Sequence, residues 1–309
     1  MKPVGTPSDP LKWRVGLVGY GEVGRILAED LRARGLARVA AYDLKLGGAA
    51  QLPLAEHAAR HGVALAASHA ALAADVDLLV SAVTASQAVA VAGACAPALR
   101  PGTWFLDFNS ASPGAKIEAA RLIDGAGGRY VEGAVMTSIP PYRIRVPLLL
   151  GGGHAEALAP LLNVLGFAAR QASEKLGVAS ATKMCRSVMI KGLEAMVIES
   201  FTTARAYGVE AEVLASLTET FPGIDWEKQG SYLFQRVIQH GRRRAEEMQE
   251  AAQTVREAGL EPWSAAGTAL RQAWVADLAD AGVMGERNAP RGDWREGADR
   301  IIEALKQRK

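Results

Sequence analysis

The chain has 309 residues, a length that favours two domains because ordinary domains hold roughly 100 to 200 residues. Hydrophobic residues make up 49% of the chain and charged residues 22%, and the net charge is +2. These values are typical of a globular protein and exclude a disordered or fibrous chain. The near-neutral charge gives no reason to expect a nucleic-acid partner.

The chain starts with MKPVGTPSDPLK, which is rich in proline and has no apolar core, so we expect a loose tail rather than a secretory signal. The two cysteines, Cys95 and Cys185, lack the Cys-x-x-Cys and Cys/His spacings of zinc sites. The sequence therefore predicts no disulfide framework and no bound metal. This cysteine usage fits a reducing compartment, and we expect a cytoplasmic protein.

Up to about residue 171, short β-rich runs alternate with helical runs. This alternation predicts an α/β fold of the Rossmann type, in which helices cover both faces of a mostly parallel sheet. The predicted strands span residues 14–18, 38–42, 63–66, 78–83, 103–108, 130–135, 147–150 and 167–170.

The run 78–99 carries no charged residue and is long enough to cross a bilayer. Polar or helix-breaking residues interrupt it at Ser81, Thr84, Ser86, Gln87 and Pro97. We therefore interpret the run as a buried strand, a polar cap and a buried helix, and we expect no membrane contact.

From residue 174 onward the β-rich runs stop, and the remaining pattern is helical. The first helix is expected over residues 174–207, with Gly208 ending it. Further interruptions are expected at 221–223, Gly241, 259–262 and Gly282. The sequence thus predicts a dinucleotide-binding domain, residues 1–172, and an all-helical domain for substrate binding and dimerisation, residues 173–309.

The stretch RVGLVGYGEVGRILAEDLRARG, residues 14–35, joins the first predicted strand to an amphipathic helix. Its glycines match G-x-G-x-x-G, in which they allow a tight turn, close approach to a pyrophosphate and close packing of helix on strand. The helix N-terminus adds N–H donors and a positive dipole end for the phosphates. The predicted cofactor contacts of this turn are Gly19, Tyr20, Gly21, Glu22, Val23 and Gly24.

The second strand ends in Asp43, 19 residues after Gly24. A carboxylate at this place accepts hydrogen bonds from the ribose hydroxyls of an adenosine and repels a 2′-phosphate, which favours NAD over NADP. Lys45 could soften that repulsion, so NADP stays open as an alternative. The other interpretation is a tight turn without a nucleotide and a surface acid at Asp43.

Polar residues also follow the fourth and fifth predicted strands. Ligands of open α/β sheets collect outside the carboxyl ends of the strands, so these residues are predicted to line the nicotinamide ribose. They are Thr84, Ser86 and Asn109, with Ser110 beside them.

Four segments carry a family resemblance: GLVGYGEVG, YVEGAVMTSIP, LLLGGG and GVASATKMCRSVMIKGLEA. They resemble the nucleotide motif, the substrate-binding segment, the strand after it and the catalytic helix of the β-hydroxyacid dehydrogenase family. That family includes 3-hydroxyisobutyrate and 6-phosphogluconate dehydrogenases. The chain is most similar to its 6-phosphogluconate dehydrogenase-like branch with a distinct C-terminal domain, and the resemblance covers nearly the whole chain.

The resemblance implies which residues bind substrate and which one is catalytic. Lys183 falls on the lysine of the helix motif G-x-x-x-x-x-K-x-x-N-N, and Ser187 replaces the asparagine four residues later. Glu132 replaces the usual aspartate of the substrate segment. The S-G-G positions of that segment are occupied by Met136, Thr137 and Ser138. The alternatives are an exposed helix lysine at Lys183 and an ordinary loop at 136–138.

The implied reaction is hydride transfer between a nicotinamide cofactor and a small 3-hydroxy acid or its oxo form, with Lys183 as proton donor or acceptor. Phosphogluconate dehydrogenases also decarboxylate and use a glutamate seven residues after the lysine, where this chain has Ile190. Simple oxidation or reduction is therefore favoured. Glu194, on the same helix face as Lys183, keeps decarboxylation as an alternative.

Two basic segments are candidates for meeting an acidic substrate. In HGRRRAEE, residues 240–247, the candidates are His240, Arg243 and Arg244. A solvated helix face paired with Glu246 and Glu247 is the alternative interpretation. The segment PPYRIRVPLL leaves the same two interpretations for Arg143 and Arg145.

The expected partners are a small acidic substrate and a second copy of the chain. The family pairs through its helical domain, and the apolar segments SYLFQRVIQ and TALRQAWVADLA are the expected faces of a homodimer.

Two other functions remain as alternatives. An imine reductase-like enzyme would share the two-domain plan, but an acidic or tyrosyl proton donor would replace the lysine, so Lys183 disfavours it. A sensor that binds a dinucleotide without turnover is the other alternative. Ser187 and the unusual VMTS segment are the features that favour it.

Overall fold

The computed structural model describes residues 8–48, 51–287 and 292–307. Residues 1–7 of the predicted tail lie outside the described residues. The chain divides into two compact units, Met1–Met184 and Cys185–Lys309. The predicted domain limit between residues 172 and 173 stays a prediction.

Strands occur only in the first unit, as far as the structure describes the chain. They are β1 (Arg14–Val18), β2 (Arg38–Tyr42), β3 (Ala64–Leu65), β4 (Leu78–Ser81), β5 (Trp104–Asp107), β6 (Arg129–Val135), β7 (Pro147–Gly151) and β8 (Ala168–Ser173). They form one sheet in the order β3-β2-β1-β4-β5-β6-β7-β8. Neighbouring strands are parallel except β6 and β7, which are antiparallel. The predicted mostly parallel sheet is confirmed.

Successive side chains of the central strands enter opposite cores. In β5, Trp104 and Leu106 belong to one core cluster and Phe105 belongs to the other. All four residues of β4 and of β5 are buried. A strand between two helical layers buries both of its faces, so apolar residues follow one another rather than alternate with polar ones, as at 78–80 of β4 and 104–106 of β5, before the polar ends Ser81 and Asp107.

The strand order reverses at β1, because β2 and β3 lie on one side of it and β4 to β8 on the other. In open α/β sheets the ligand crevice lies outside the carboxyl ends of the strands at this reversal. The carboxyl ends of β1 and β4 therefore mark the expected position of a nucleotide.

The helices that cover this sheet are α1 (Glu22–Ala33), α2 (Gln51–His61), α3 (His69–Ala73), α4 (Ala88–Cys95), α5 (Pro113–Gly125), α6 (Ile139–Tyr142) and α7 (Ala155–Val164). The uncharged run 78–99 contains β4, a polar turn and α4, which confirms its interpretation as strand, cap and helix. Among the described residues, no helix is both long enough and apolar enough to cross a membrane.

The rest of the described chain is helical, as predicted. The helices are α8 (Val178–Tyr207), α9 (Glu210–Thr220), α10 (Trp226–Glu257), α11 (Trp263–Asp280) and α12 (Trp294–Lys306). The first of them begins four residues later than expected and ends before Gly208, whose φ of +70° is the left-handed conformation of a helix stop.

Aromatic rings form the core of the second unit. The Phe201 ring lies 4.8 Å from the Trp294 ring and 6.5 Å from the Trp226 ring, between centroids. Of the apolar residues in the two expected dimer faces, Leu233, Phe234, Val237, Val275 and Leu278 are buried in this same core, whereas Tyr232 and Leu270 are exposed. The buried side chains stabilise the unit itself, and pairing of two chains through these segments stays a prediction.

Gly241 does not interrupt the helical pattern, contrary to expectation. It lies in the middle of α10, which continues to Glu257. A Cβ at Gly241 would lie 2.9 Å from the Gln272 carbonyl oxygen and 3.2 Å from the Ala276 Cβ, both on α11. The glycine is therefore present because α10 and α11 pack closely at this point.

A matched pair of glycine substitutions tests this packing. Gly241→Ala should lower the free energy of unfolding by about 1–3 kcal/mol, because the α11 backbone must move. Gly267→Ala, on the exposed face of α11 where an added Cβ meets no described atom within 4 Å, should raise it by about 0.5–1 kcal/mol. Urea denaturation followed by circular dichroism measures both. Equal effects of the two substitutions would contradict the close packing.

Candidate active site

The turn after β1 gives its glycines three different environments. Gly19 has a φ of +89°, and a Cβ there would lie 2.3 Å from the Ala82 carbonyl oxygen. A Cβ at Gly24 would lie 2.1 Å from the Gly19 carbonyl oxygen. Gly21 is the N-cap of α1, and a Cβ there would meet nothing within 4 Å among the described residues. Chain packing thus requires the outer two glycines, and the middle one faces space that a pyrophosphate can enter.

The carboxylate of Asp43 is held beside this turn. Its Oδ2 accepts a hydrogen bond from the Tyr20 N–H at 2.8 Å, and its Oδ1 accepts one from the Lys45 N–H at 2.9 Å. An ionised carboxylate has about four acceptor positions, so roughly two remain for ribose hydroxyls. The residue is partly exposed, and its position fits an adenosine ribose.

Asn109 joins the carboxyl ends of β4 and β5. Its Oδ1 accepts a hydrogen bond from the Val83 N–H at 2.7 Å, and its Nδ2 donates one to the Ser81 Oγ at 2.9 Å. The side chain is buried, so it positions the loop beside the expected nicotinamide. Thr84 and Ser86 are exposed at the same edge of the sheet, with their hydroxyl oxygens 3.5 Å apart.

A buried ionic network supports the loop that follows β5. The Lys116 Nζ lies 2.9 Å from the Asp107 Oδ1, and the Tyr130 hydroxyl donates to the Asp107 Oδ2 at 2.8 Å. The Asn109 N–H donates to the Asp107 Oδ1 at 2.9 Å. Burial, followed by the nearby Asp107 charge, raises the pKa of Tyr130 well above its usual value, so this hydroxyl remains a donor.

Lys183 lies at this same edge of the sheet. It is in the second turn of α8, and its Nζ donates a hydrogen bond to the Ser110 Oγ at 2.5 Å. Ser110 follows β5, which is separated from β1 by β4 alone. Adjacent strands are about 4.8 Å apart, so the ends of β1 and β5 are roughly 10 Å apart. The amine and the nucleotide turn therefore lie at the same carboxyl edge, within the reach of one dinucleotide.

Glu132 anchors the start of α8. It is fully buried in β6, where its Oε1 accepts a hydrogen bond from the Ala179 N–H at 3.0 Å and its Oε2 accepts one from the Ser180 hydroxyl at 2.9 Å. A carboxylate at a helix N-terminus also interacts favourably with the helix dipole. Gly151 leaves the room for it, since a Cβ there would lie 2.2 Å from the Glu132 Oε1. Glu132 therefore positions the helix that carries Lys183.

The segment 136–138 follows β6. The Met136 N–H donates to the Pro147 carbonyl oxygen at 3.0 Å, and its side chain packs against a small buried cluster that includes Ala179 of α8. Thr137 is exposed and Ser138 precedes α6. Met136 is thus a packing residue against the start of α8, and binding of substrate by all three residues stays a prediction.

The second unit contains its own buried polar cluster. The Lys191 Nζ donates to the Ser187 Oγ at 3.1 Å and pairs with the Glu247 Oε2 at 2.7 Å. The Glu194 carboxylate pairs with the Arg244 guanidinium at 3.0 Å. It also accepts a hydrogen bond from the Gln272 side-chain amide at 3.0 Å. Burial raises the pKa of Glu194, while Arg244 and Gln272 oppose this shift.

The basic run 240–247 is not one uniform surface. Arg244 is buried against Glu194, which corrects its interpretation as part of a solvated face. Arg243 is exposed, with its Nε 3.8 Å from Glu247. Burial, followed by the neighbouring arginine charges, lowers the pKa of His240 to about 4, so its imidazole is neutral at neutral pH. Of the residues predicted here to contact substrate, only Arg243 offers an exposed positive charge.

In the other basic segment, residues 140–149, one arginine is paired with carboxylates and the other is exposed. Arg143 pairs with Glu29 at 2.6 Å and with Asp30 at 2.8 Å, both near the middle of α1. Arg145 is exposed. Arg143 therefore has a contact inside the first unit that accounts for it without a substrate.

Sequence reasoning missed the Asp107–Lys116–Tyr130 network and the role of Glu132. One signal was available: Lys116 occupies the same helix stripe as Ala119, Ala120 and Ile123, at the spacing of a buried face. A lysine in an apolar stripe indicates a buried partner.

Two protein families match parts of this chain. The family described as the NAD binding domain of 6-phosphogluconate dehydrogenase matches residues 14–177. The chain belongs to this family. A second family, described as a domain of unknown function (DUF1932), matches residues 204–275. The 6-phosphogluconate dehydrogenase-like family with a distinct C-terminal domain is therefore confirmed, and the first unit contains an NAD(P)-binding domain.

Three solved structures are similar over most of their length. A conserved hypothetical protein from Sinorhizobium meliloti 1021 is 37% identical, with 93% of this chain and 96% of that chain covered and a TM-score of 0.73. A conserved protein of unknown function, described as structurally similar to 3-hydroxyacid dehydrogenases, is 29% identical, with 87% and 98% covered and a TM-score of 0.65. The 3-hydroxyisobutyrate dehydrogenase of Mycobacterium tuberculosis, solved with L-serine, shares the fold at 17% identity, with 94% and 99% covered and a TM-score of 0.65.

A pair of substitutions at the end of β7 tests the contact between Glu132 and the start of α8 in this 6-phosphogluconate dehydrogenase-like chain. Gly151→Ala should lower the free energy of unfolding by about 1–3 kcal/mol, because its Cβ displaces the Glu132 carboxylate from the start of α8. Gly153→Ala, where an added Cβ meets nothing within 4 Å among the described residues, should change it by less than about 0.5 kcal/mol. Urea denaturation measures both, and an unchanged Gly151→Ala protein would show that the anchor is unimportant.

Proposed function

We propose that this protein transfers a hydride between NAD and a small 3-hydroxy acid or its oxo form, with Lys183 as the proton donor or acceptor. The observation that carries the proposal is the hydrogen bond from the Lys183 Nζ to the Ser110 Oγ at 2.5 Å. It holds an amine at the carboxyl edge of the sheet, beside the strands that an NAD(P)-binding domain uses.

The residues of the first unit fit a dinucleotide. Gly21 leaves open space at the N-terminus of α1, and no side chain of the described residues caps that helix end. Backbone N–H groups there can bind the pyrophosphate, while Asp43 can accept hydrogen bonds from the ribose hydroxyls. The dinucleotide, when bound, supplies the hydride acceptor or donor.

Lys183 can serve both directions of the reaction. A neutral amine accepts the proton of a substrate hydroxyl during oxidation, and an ammonium returns it and polarises a carbonyl during reduction. Ser110 orients the amine by accepting its hydrogen bond. Glu132 positions the start of α8, the helix that carries Lys183. The protein therefore contributes orientation and proton transfer.

The chemistry of the substrate follows from the family and from the residues around it. Two structural relatives are a 3-hydroxyisobutyrate dehydrogenase and a protein described as similar to 3-hydroxyacid dehydrogenases. The isoleucine at position 190 disfavours decarboxylation. Glu194 is paired with the buried Arg244, so it is already used in a salt bridge of the second unit. We therefore propose oxidation or reduction without loss of carbon dioxide.

Asp43 provides a test of cofactor choice. We expect the protein to bind NAD at least about tenfold more tightly than NADP, because a 2′-phosphate would meet the carboxylate. Asp43→Asn should narrow this ratio, whereas Glu56→Gln, which removes an exposed carboxylate from α2, should leave it unchanged. Calorimetric titration with both cofactors measures the ratio. Equal affinity of the unaltered protein for the two would contradict NAD specificity.

Lys183 provides the test of catalysis. A panel of 3-hydroxy acids is assayed with NAD and with NADP by the absorbance of the reduced nicotinamide. Lys183→Ala should lower kcat by about 10²–10⁴-fold while cofactor affinity stays the same, because a general acid–base group contributes this much. Lys175→Ala, an exposed lysine just before α8, is the matched control and should keep full activity.

The same assay separates the alternatives. Full activity in Lys183→Ala would contradict the assigned role of the lysine. Cofactor binding without turnover across the whole panel would favour the sensor. Turnover of cyclic imines with no turnover of hydroxy acids would favour the imine reductase-like enzyme.

A further inference from the structure

We propose that Glu29, His57 and His61 form a binding site for a divalent transition-metal ion of the zinc type. These three residues are called the α1–α2 cluster below. Glu29 lies on α1, and the two histidines lie on α2, all in the first unit. The proposal is independent of the proposed function, because none of the three residues belongs to the predicted catalytic or cofactor-binding set.

The geometry brings one ligand atom from each residue together. His57 and His61 are four residues apart, so their rings share one face of α2, and they stack with centroids 4.5 Å apart. The His57 Nε2 lies 2.9 Å from the Glu29 Oε1. The three potential ligand atoms all lie within 4.8 Å of one another. Such convergence is the first requirement of a metal site.

The donor set fits zinc and its neighbours. Two imidazoles and a carboxylate bind Zn²⁺, Co²⁺ and Ni²⁺, with zinc–ligand distances of about 2.0–2.2 Å. Ligands of a tetrahedral ion are then roughly 3.4 Å apart, so a separation of up to 4.8 Å in the cluster must close by up to about 1.4 Å, which side-chain rotation can supply. Water would complete the coordination shell.

The surroundings of the cluster are those of a supported metal site. The hydroxyl of Tyr20, a buried residue, lies 2.9 Å from the His57 Nδ1. Metal-bound histidines usually donate from their second nitrogen to an oxygen of this kind, which orients the ring. With His57 bound to an ion through Nε2, its Nδ1–H would donate to the Tyr20 oxygen. The His57 side chain is only 12% exposed, which keeps that orientation defined.

The charge around Glu29 is compatible with a cation. Arg143 donates to the Glu29 Oε2 at 2.6 Å, which leaves the Oε1 for the ion. The same arginine also pairs with Asp30 at 2.8 Å, so its positive charge is shared with a second carboxylate. A divalent ion at the Oε1 would therefore meet a carboxylate whose guanidinium partner is shared with Asp30.

A structural hydrogen-bond chain is the competing explanation. Tyr20, His57, Glu29 and Arg143 form such a chain without any ion. His61 separates the two explanations, because its ring stacks on His57 but is not a member of that chain. Only a metal site requires the His61 nitrogen.

The test uses the full chain, freed of metal by dialysis against a chelator and titrated with Co²⁺ alone. The unaltered protein should bind one Co²⁺ with visible ligand-field absorption, and Zn²⁺ should displace it. His61→Ala should weaken binding at least about tenfold. His61→Cys should restore binding and add a thiolate-to-cobalt charge-transfer band, which a merely structural residue would not produce.

Two further variants complete the design. Tyr20→Phe should weaken Co²⁺ binding by about 10–100-fold, because it removes the oxygen that orients His57. His154→Ala, a histidine that packs on Trp104 away from the cluster, should bind as the unaltered protein does. Unfolding midpoints of all variants show that each is folded.

Three results would overturn the proposal. The first is the absence of stoichiometric Co²⁺ or Zn²⁺ binding at millimolar metal. The second is an affinity in His61→Ala equal to that of the unaltered protein, which would leave the α1–α2 cluster as a hydrogen-bond chain. The third is the absence of the charge-transfer band in a metal-binding His61→Cys protein, which would place the ion elsewhere.

Discussion

The buried contact between the Glu132 carboxylate and the start of α8 determines where the candidate catalytic lysine lies. Unpaired N–H groups at a helix end need acceptors, and a buried carboxylate is stable only where donors surround it. Each therefore satisfies the other. Because Glu132 belongs to β6, the start of α8 is fixed to a strand of the sheet rather than to a loop. Lys183, one turn further along α8, can then reach Ser110.

The loop that contains Ser110, the hydrogen-bond acceptor of the Lys183 amine, is stabilised by a buried network of polar side chains. Asp107, Lys116 and Tyr130 bury an ion pair and a hydroxyl beneath the end of β5, and Asn109 connects that end to β4. Taking two charges out of water is costly, and an apolar cluster would often be as stable. What the network provides is a defined position for the backbone of 108–110. Removing one partner of such a pair typically costs about 3–5 kcal/mol, because the other charge stays buried.

The buried polar and charged side chains occupy different kinds of position in the two units. In the first, Asp107, Asn109 and Lys116 are buried at the carboxyl edge of the sheet and support the candidate active site, whereas Asp77 is buried at the opposite edge and pairs with Arg14 and Arg100. In the second, Lys191, Glu194 and Arg244 lie among helices and are paired with one another or with Glu247. Residues that form an apparent basic run along the sequence therefore have separate roles, since consecutive helix positions point about 100° apart.

Local patterns determined much of the fold from the sequence alone. Strand positions followed from short apolar runs, the nucleotide turn from the spacing of Gly19, Gly21 and Gly24, and the long helix from its stop at Gly208. Each of these signals acts within a few residues, so it can be read without partners. Gly241 shows the limit of this reasoning. The sequence alone does not distinguish a glycine that permits close helix packing from one that ends a helix.

Only the tertiary structure decided which polar residues meet. Glu132 and Ala179 are 47 positions apart, and Lys183 and Ser110 are 73 apart, so no local pattern joins them. The sequence by itself determined the order of the elements, the family motifs and the residue type at each candidate position. The three-dimensional fold decided that Arg244 is buried, that Lys116 supports the site and that His57 and His61 converge on Glu29. The physical reason is that burial and pairing depend on contacts made between distant segments of the chain.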